Sequence, residues 1–147
     1  PGAERLQLLY QAADLRVGRN SDIPFGDGSF DYILACHCCY YCDDGETLAD
    51  NLTEYARVLK PGGWLVASVA CSASYIFNSA VALEDGSYRI HADPYGNRDG
   101  YRLHAFADKE AVRRYLSAWF GSFSFGFADN DYYGISERVF WVVCQKC

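Results

Sequence analysis

Residues 30–70 constrain the fold most, because two apolar segments flank one amphipathic segment. Phe30–Cys39 and Trp64–Ala70 are largely apolar on both faces, which is typical of buried strands in a parallel sheet. Between them, residues 43–59 place apolar side chains at spacings of three and four, the period of a helix. The buried stripe of that helix would consist of Leu48, Leu52, Tyr55, Ala56 and Leu59. This order predicts a right-handed βαβ crossover between two parallel strands.

The predicted central helix carries capping signals at both ends. Asp43 precedes it and Glu46 lies three residues later, which is the spacing of a capping box. Pro61, Gly62 and Gly63 follow its last turn and would end it. We therefore expect a helix that begins at Asp43 and ends at Leu59.

Further segments extend the α/β pattern on both sides of the crossover. Apolar spacing predicts helices over 3–13, 74–83 and 108–120 and strands over 14–18, 123–127 and 139–144. The first of these helices would bury Leu6, Leu9, Tyr10 and Ala13. Residues 84–103 contain several Gly and Asp residues and a Pro, so we expect a long irregular insertion that forms a lid. Residues 1–147 are long enough for a single domain.

The composition argues against several classes of partner. The net charge is −6 and basic residues are scattered, which does not suit a nucleic-acid phosphate backbone. No apolar run approaches the ~20 residues of a membrane span, so no membrane partner is expected. The seven cysteines are an odd number and fit free thiols in a reducing cytoplasm better than a secreted disulfide framework. We expect a cytoplasmic protein.

Three motifs in order resemble a known family. They are Asp22-Ile23-Pro24-Phe25, Asp27-Gly28-Ser29-Phe30-Asp31 and Arg57-Val58-Leu59-Lys60-Pro61-Gly62-Gly63. Together they resemble class I S-adenosylmethionine-dependent methyltransferases, most closely the methyltransferase-11 (UbiE-like) group. The resemblance implies an α/β fold with an incomplete Rossmann-like methyltransferase sheet. The chain would supply strands three to seven of seven, with flanking helices and an antiparallel last strand.

The family's Gly-x-Gly-x-Gly loop, which follows its first strand, has no counterpart in this sequence. We therefore expect residues 1–147 to be the C-terminal part of one methyltransferase domain, with 84–103 as an insertion within it. A chain without that loop is not expected to bind the cofactor tightly or to be active alone.

The resemblance implies S-adenosylmethionine as cofactor and a small molecule as methyl acceptor. In open α/β sheets, ligands bind at the carboxyl ends of strands, here 18–22, 35–41 and 70–74. The implied cofactor-binding residues are Arg19, Asn20, Ser21, Asp22, Cys36 and His37. The family usually has an Asp-Ala pair at the positions of Arg19 and Asn20. The Asn20 amide oxygen could accept a hydrogen bond from adenine, or Asn20 could only shape a turn.

His37 is the candidate catalytic residue. An imidazole titrates near neutral pH and could remove a proton from the acceptor. Alternatively, His37 only packs beside the cofactor, and in-line positioning of the acceptor supplies most of the rate. The acceptor pocket would include Tyr40, Tyr41, Cys71, Ser72 and Tyr95. Tyr88, His91, Tyr95 and Tyr101 of the insertion are candidate lid contacts.

Three other interpretations were open from the residues. Cys36, Cys38, Cys39 and Cys42 surround His37 as zinc ligands might, but successive strand residues point to opposite faces, so we expect no metal. Asp93-Pro94-Tyr95 resembles an amino-methyltransferase motif but lies in the insertion, where a turn is expected. Finally, the chain could be a non-catalytic binding or dimerisation module, with a homodimer formed through an exposed sheet edge.

Overall fold

The computed structural model describes residues 2–147. Its helices are α1 (Gly2–Leu9), α2 (Leu48–Val58) and α3 (Lys109–Leu116), with a short 3₁₀ helix at Tyr75–Phe77. Its strands are β1 (Phe30–Ala35), β2 (Tyr41–Cys42), β3 (Leu59–Cys71), β4 (Val81–Ala82), β5 (Ser87–Arg89), β6 (Arg102–Phe106), β7 (Phe120–Tyr132) and β8 (Ile135–Lys146).

The main sheet has the order β1-β3-β8-β7. β1 and β3 are parallel, and β8 runs antiparallel to both β3 and β7. The connection from β1 to β3 passes through α2, so the predicted crossover is confirmed. The predicted α/β fold class, with an antiparallel last strand, is confirmed as well.

The central helix is buried as predicted but begins later than predicted. Leu48, Leu52 and Tyr55 lie in the core. The capping residue is Thr47, not Asp43: its hydroxyl accepts from the Asp50 N–H at 3.4 Å, and its own N–H donates to the Asp50 carboxylate at 2.7 Å. Residues 43–46 form a turn instead. The prediction chose the wrong capping box because two candidates lie four residues apart, Asp43 with Glu46 and Thr47 with Asp50.

The glycines after the helix do not form a loop of their own. β3 begins at Leu59 directly after α2, and its pairing with β1 shifts register between Leu59 and Trp64. The intervening residues form a bulge, in which Gly62 has a φ of 74° that glycine adopts at no steric cost. Lys60 in this bulge pairs with Asp31 at 2.8 Å.

Four local predictions were wrong. Residues 14–18 form no strand, and the intended inward face of α1 is exposed, with Leu9 71% accessible. β1 is not buried on both faces, since Tyr32 and Leu34 are each 71% exposed. Within residues 2–147, β1 pairs only with β3, so it is an edge strand there. The helix predicted over 74–83 is only a 3₁₀ turn, because Val81 and Ala82 pair with β5 instead.

The insertion is more regular than predicted. β5 and β6 pair antiparallel, with β4 and β2 on their outer edges, in a small second sheet. This sheet joins the main sheet where the end of β3 pairs with β6. The Asp93 carboxylate, with a fully buried side chain, accepts the backbone N–H groups of Tyr95, Asn97 and Arg98. Asp93-Pro94-Tyr95 is therefore part of a tight turn, and this turn directs Tyr95 and Arg98 toward the main sheet.

Among the residues that the structure describes, no helix has the length and apolarity needed to cross a membrane.

Candidate functional site

The carboxyl ends of β1 and β3 lie beside the insertion and bring together several aromatic residues. The rings of Tyr40 and Tyr41 stack at 5.1 Å. The Tyr41 hydroxyl accepts from Arg98 Nε at 2.8 Å, and Arg98 Nη1 also donates to the Tyr75 hydroxyl at 3.4 Å. Tyr75 in turn packs edge-on against Tyr95 at 6.0 Å. Three predicted acceptor residues, Tyr40, Tyr41 and Tyr95, are thus linked through Tyr75 and Arg98.

His37 follows β1 with an unusual backbone. Its φ is 51°, in the left-handed region that non-glycine residues adopt at a cost. The backbone N–H of His37 donates to the hydroxyl of buried Ser68 at 2.7 Å, which holds this conformation. The imidazole Nδ1 lies 3.9 Å from Glu137 Oε1, and the ring meets Trp141 edge-on. The side chain is therefore fixed between the ends of β1 and β8.

Glu137 is the charged residue at the centre of this region. Its side chain is only 22% exposed, and no hydrogen bond to its carboxylate is found within residues 2–147. The phenols of Tyr40 and Tyr75 lie close enough for its charge to act on them, although burial is the main reason that the pKa of Tyr75 is raised. Both phenols therefore stay protonated at neutral pH and can donate hydrogen bonds.

These groups enclose a small cavity of about 20 Å³, which we call the tyrosine chamber. Its polar lining consists of Tyr40, Tyr41, Ser74, Tyr75, Arg98, Glu137 and Arg138. A cavity of this size accommodates about one water molecule or a group as small. A larger cavity of about 460 Å³, the outer cavity, shares Tyr75, Ile76 and Arg138 with it and also contacts His91 of the insertion.

A third cavity, of about 520 Å³, lies between residues 16–25 and α2, and we call it the loop cavity. Its lining includes Arg19, Asn20, Tyr41, Asp43 and Asn51. Asn51 donates to the carbonyl oxygens of Cys39 and Tyr41, yet its own Oδ1 is buried without a partner in the described part of the chain. A buried amide oxygen without a donor is costly, so this atom is an unsatisfied acceptor beside the loop cavity.

Asn20 is already engaged by the protein. Its Nδ2 donates to the Cys38 carbonyl at 2.8 Å, and its Oδ1 accepts from the Tyr55 hydroxyl at 2.9 Å. Asn20 therefore ties the loop at 19–22 to the segment after β1 and to α2. The oxygen predicted to accept from adenine retains one free lone pair.

Arg57 of α2 holds the loop that carries the first two motifs. Its guanidinium donates to the carbonyl oxygens of Ile23 and Phe25, each at 2.9 Å, and to the Asp27 carboxylate at 2.8 Å. Glu54 pairs with Arg57 and also accepts the Ile23 N–H at 3.0 Å. α2 therefore fixes the shape of the loop through Arg57 and Glu54.

The remaining predicted site residues lie in separate places. The Ser21 hydroxyl donates to Glu46, and Asp22 exchanges backbone hydrogen bonds with Arg19. Cys36 is exposed. Cys71 is buried and lines a separate apolar cavity with Phe127 and Phe140. The predicted acceptor set is thus only partly brought together, with Cys71 facing away from the tyrosines.

The cysteines around His37 are not arranged as a metal site. Within residues 2–147, no group of three or more His, Cys, Asp or Glu side chains could hold a metal ion. Burial raises the pKa of Cys42 to about 11 and raises that of Cys39 further. These thiols therefore stay protonated at neutral pH.

The insertion contacts the site through aromatic side chains. Tyr101 meets Tyr41 at 5.9 Å, and Tyr88 packs on Phe77 at 5.2 Å. Sequence reasoning missed four residues of the site: Ser68, Tyr75, Arg98 and Glu137. Ser68 and Glu137 lie in strands and Arg98 in a glycine-rich loop, so no local spacing relates them to His37.

The first part of the chain matches a known domain family. Residues 3–67 match the family model described as "Methyltransferase domain". This match spans most of α1, the loop cavity, α2 and most of β3, and it contains all three sequence motifs. No curated protein matches the chain in sequence.

Several solved structures have a similar fold. A SAM-dependent methyltransferase from Methanosarcina mazei aligns with a TM-score of 0.65 and 21% identity over 98% of this chain and 76% of that one. A methyltransferase from Thermotoga maritima, described as a possible histamine N-methyltransferase, aligns at 0.62 and 17% over 98% and 70%. The 1,6-didemethyltoxoflavin-N1-methyltransferase of Burkholderia thailandensis, with bound substrate and S-adenosylhomocysteine, aligns at 0.58 and 18% over 96% and 56%.

Proposed function

Because the chain has the fold of class I S-adenosylmethionine-dependent methyltransferases and its residues 3–67 match their domain model, we propose that it transfers a methyl group to a small-molecule acceptor. One observation carries this proposal most directly. Tyr41 lines both the loop cavity and the tyrosine chamber, so a ligand in each would meet at the carboxyl ends of the strands. Two adjoining sites at that edge suit a reaction between two bound molecules.

The loop cavity fits the adenosine part of the cofactor. The free lone pair of Asn20 Oδ1 would accept a hydrogen bond from the adenine amino group. Asp43 and Arg19 line the more exposed part of the same cavity. When bound, S-adenosylmethionine supplies an electrophilic methyl group on a sulfonium, and transfer leaves S-adenosylhomocysteine.

His37 is our candidate for the residue that takes the acceptor's proton. The Glu137 carboxylate, 3.9 Å from Nδ1, would stabilise the imidazolium that results. Ser68 acts as a positioning residue, because it fixes the backbone from which the imidazole projects. The alternative role for His37 is to pack against Trp141 and shape the acceptor pocket without accepting a proton.

The test of the proposed cofactor site is a mapped titration. We expect S-adenosylhomocysteine to shift the backbone amide NMR signals of residues 19–22, Tyr41 and Asn51, with weak affinity because the sequence has no Gly-x-Gly-x-Gly loop. Adenosine should shift the same signals and uridine should not, which controls for non-specific binding. Shifts that spare this cavity at millimolar ligand would overturn the proposed function. Tight binding in calorimetry would overturn only the expectation that residues 1–147 are not competent alone.

A second candidate function is a binding or dimerisation module. The exposed Tyr32 and Leu34 lie on β1, whose second edge has no partner strand within residues 2–147. Unpaired edges with apolar side chains promote pairing with another chain, and a homodimer through β1 would cover them.

We place the protein in the cytoplasm, where a reducing environment would keep its seven cysteines free, as they are in the structure.

A further inference from the structure

Arg102 is a buried charge at the start of β6. Its side chain is 8% exposed, and its guanidinium forms an ion pair with Asp85 and donates from Nη1 to the backbone carbonyl of Asp43 at 2.8 Å. Its Nε is buried without a hydrogen-bond partner in the described residues 2–147. A buried ion pair contributes little net stability compared with well-packed apolar side chains. Stability alone therefore does not account for an arginine here, and the contact with Asp43 is what an apolar residue could not supply.

The Asp43 carbonyl also closes the turn at residues 43–46, because it accepts the backbone N–H of Glu46 at 3.1 Å. This turn contacts the loop beside it at two points. The Glu46 carboxylate accepts from the Ser21 hydroxyl, and the Asp43 carboxylate lies 3.8 Å from Arg19 Nε in an exposed pair. Asp43 and Arg19 both line the loop cavity, so the position of the turn affects the shape of that cavity.

Strands β5 and β6 hold the same segment at two more places. Arg89 of β5 donates to the Asp44 carboxylate at 3.0 Å, and β6 pairs with β2 through Leu103 and Tyr41. Tyr41 lines both the loop cavity and the tyrosine chamber. These contacts join the insertion to the segment that forms one wall of the loop cavity. The insertion is therefore part of the framework of that cavity, and not only a cover for the tyrosine chamber.

We propose that Arg102 is a positioning residue for the loop cavity, because its bond to the Asp43 carbonyl keeps the turn at 43–46 in a place that leaves the cavity open for a nucleoside. The choice of a nucleoside rests on the proposed function, whereas the link from Arg102 to the cavity rests on the contacts alone. Within the described part of the chain, Arg102 is not one of the residues that line the cavity, so it acts through Asp43 and not on the ligand.

The substitution Arg102→Lys tests this link. Lysine keeps the positive charge beside Asp85, but its single ammonium group does not reproduce the planar set of donors that also reaches the Asp43 carbonyl. We expect adenosine to bind this variant about fivefold or more weakly than the parent chain in an NMR titration of the whole chain. In the ligand-free protein, the backbone amide signals of Arg19 and Ser21 should shift as well.

Two control variants separate positioning from a general loss of stability. Arg113→Lys makes the same exchange on α3, where the arginine pairs with Glu110 at 3.3 Å, and it should leave both readouts unchanged. Val112→Ala removes fully buried side-chain volume from α3, so it should lower the stability without changing the affinity for adenosine. Thermal unfolding verifies that each variant is folded at the temperature of the titration.

Failure of the positioning role and failure of the proposed function give different results. If the parent chain does not bind adenosine, the proposed function fails, and the ligand-free signals of Arg19 and Ser21 alone decide the role of Arg102. Unchanged ligand-free signals in Arg102→Lys would overturn the positioning role. An unchanged affinity for adenosine, where the parent binds it, would overturn that role too. The same holds for an equal loss of affinity in Val112→Ala, because lost stability would then explain the effect.

Discussion

At the scale of single residues, His37 shows how the site imposes a conformational cost on the chain. A φ of 51° suits glycine better than any residue with a Cβ. We predict that His37→Gly is more stable than His37→Ala by about 1 kcal/mol, because both remove the imidazole but only alanine keeps the strain. Urea denaturation measures the difference. The neighbouring exposed Cys36 provides the control, since Cys36→Gly should be less stable than Cys36→Ala.

Ser68 is the hydrogen-bond partner that holds the backbone of His37. Its hydroxyl accepts the His37 N–H at 2.7 Å, and the residue is fully buried. Ser68→Ala leaves that N–H without its acceptor, so we predict a loss of about 1–3 kcal/mol in the free energy of unfolding. Ser124→Ala, at an exposed position of β7, should change it by less than about 0.5 kcal/mol. Equal effects from both substitutions would show that Ser68 does not support the His37 backbone.

At the scale of elements, α2 could be predicted well because its signal is local. Its apolar stripe repeats over several turns, and the structure buries Leu48, Leu52 and Tyr55 of that stripe. The helix start was less predictable, since Asp43 and Thr47 both begin plausible capping boxes. We predict that Thr47→Ala costs about 1 kcal/mol in the free energy of unfolding. Asp43→Ala should cost less than half of that, and the reverse order would restore the original prediction.

The contacts between α2 and the loop make the stability of the fold depend on pH, and we expect part of it to be lost on acidification. The hydrogen bond from Arg57, followed by smaller contributions that include the Ile23 N–H, lowers the pKa of Glu54 below its ordinary value of about 4.5. Glu54 therefore stabilises the fold above pH 4.5, and this contribution is lost as the pH falls through the lowered pKa. We predict that Glu54→Gln destabilises the protein at pH 7 and that the difference from the parent shrinks below pH 4.5. Urea unfolding at pH 7, 4.5 and 3.5 tests this, and a difference that grows on acidification would contradict it.

At the scale of the whole molecule, what the sequence reveals depends on how far apart the interacting residues lie. The crossover and the motifs were predictable because their signals lie in continuous segments. The tyrosine chamber was not, because it joins Tyr41, Tyr75, Arg98 and Glu137 from four separate elements. The burial of β1 was predicted wrongly for a related reason. An apolar strand sequence does not show whether other elements cover both sides of the strand. Tyr32 and Leu34 therefore appeared to be core residues and are exposed.

That exposed edge leads to a prediction about association. If β1 pairs with a second copy, sedimentation velocity should show a dimer that accumulates with concentration. Leu34→Lys should weaken the dimer, because it places a charge in the apolar contact. The substitution lies on the surface and leaves the packing of Leu103 and the other core residues unchanged. Tyr133→Lys, at the fully exposed tip of the β7–β8 turn, is the matched control and should leave the dimer unchanged. A monomer throughout the concentration range would exclude the homodimer.

The position of β8 has a consequence for biosynthesis. β8 is the last strand along the chain, yet it lies in the interior of the sheet between β3 and β7. A nascent chain on the ribosome therefore cannot close its sheet until residues 135–146 have emerged, and β3 keeps an open apolar edge until then. Glu137 arrives with that strand, one hundred residues after His37. The two residues therefore cannot meet before β8 has emerged, and the edge of β3 that pairs with β8 stays open during that interval.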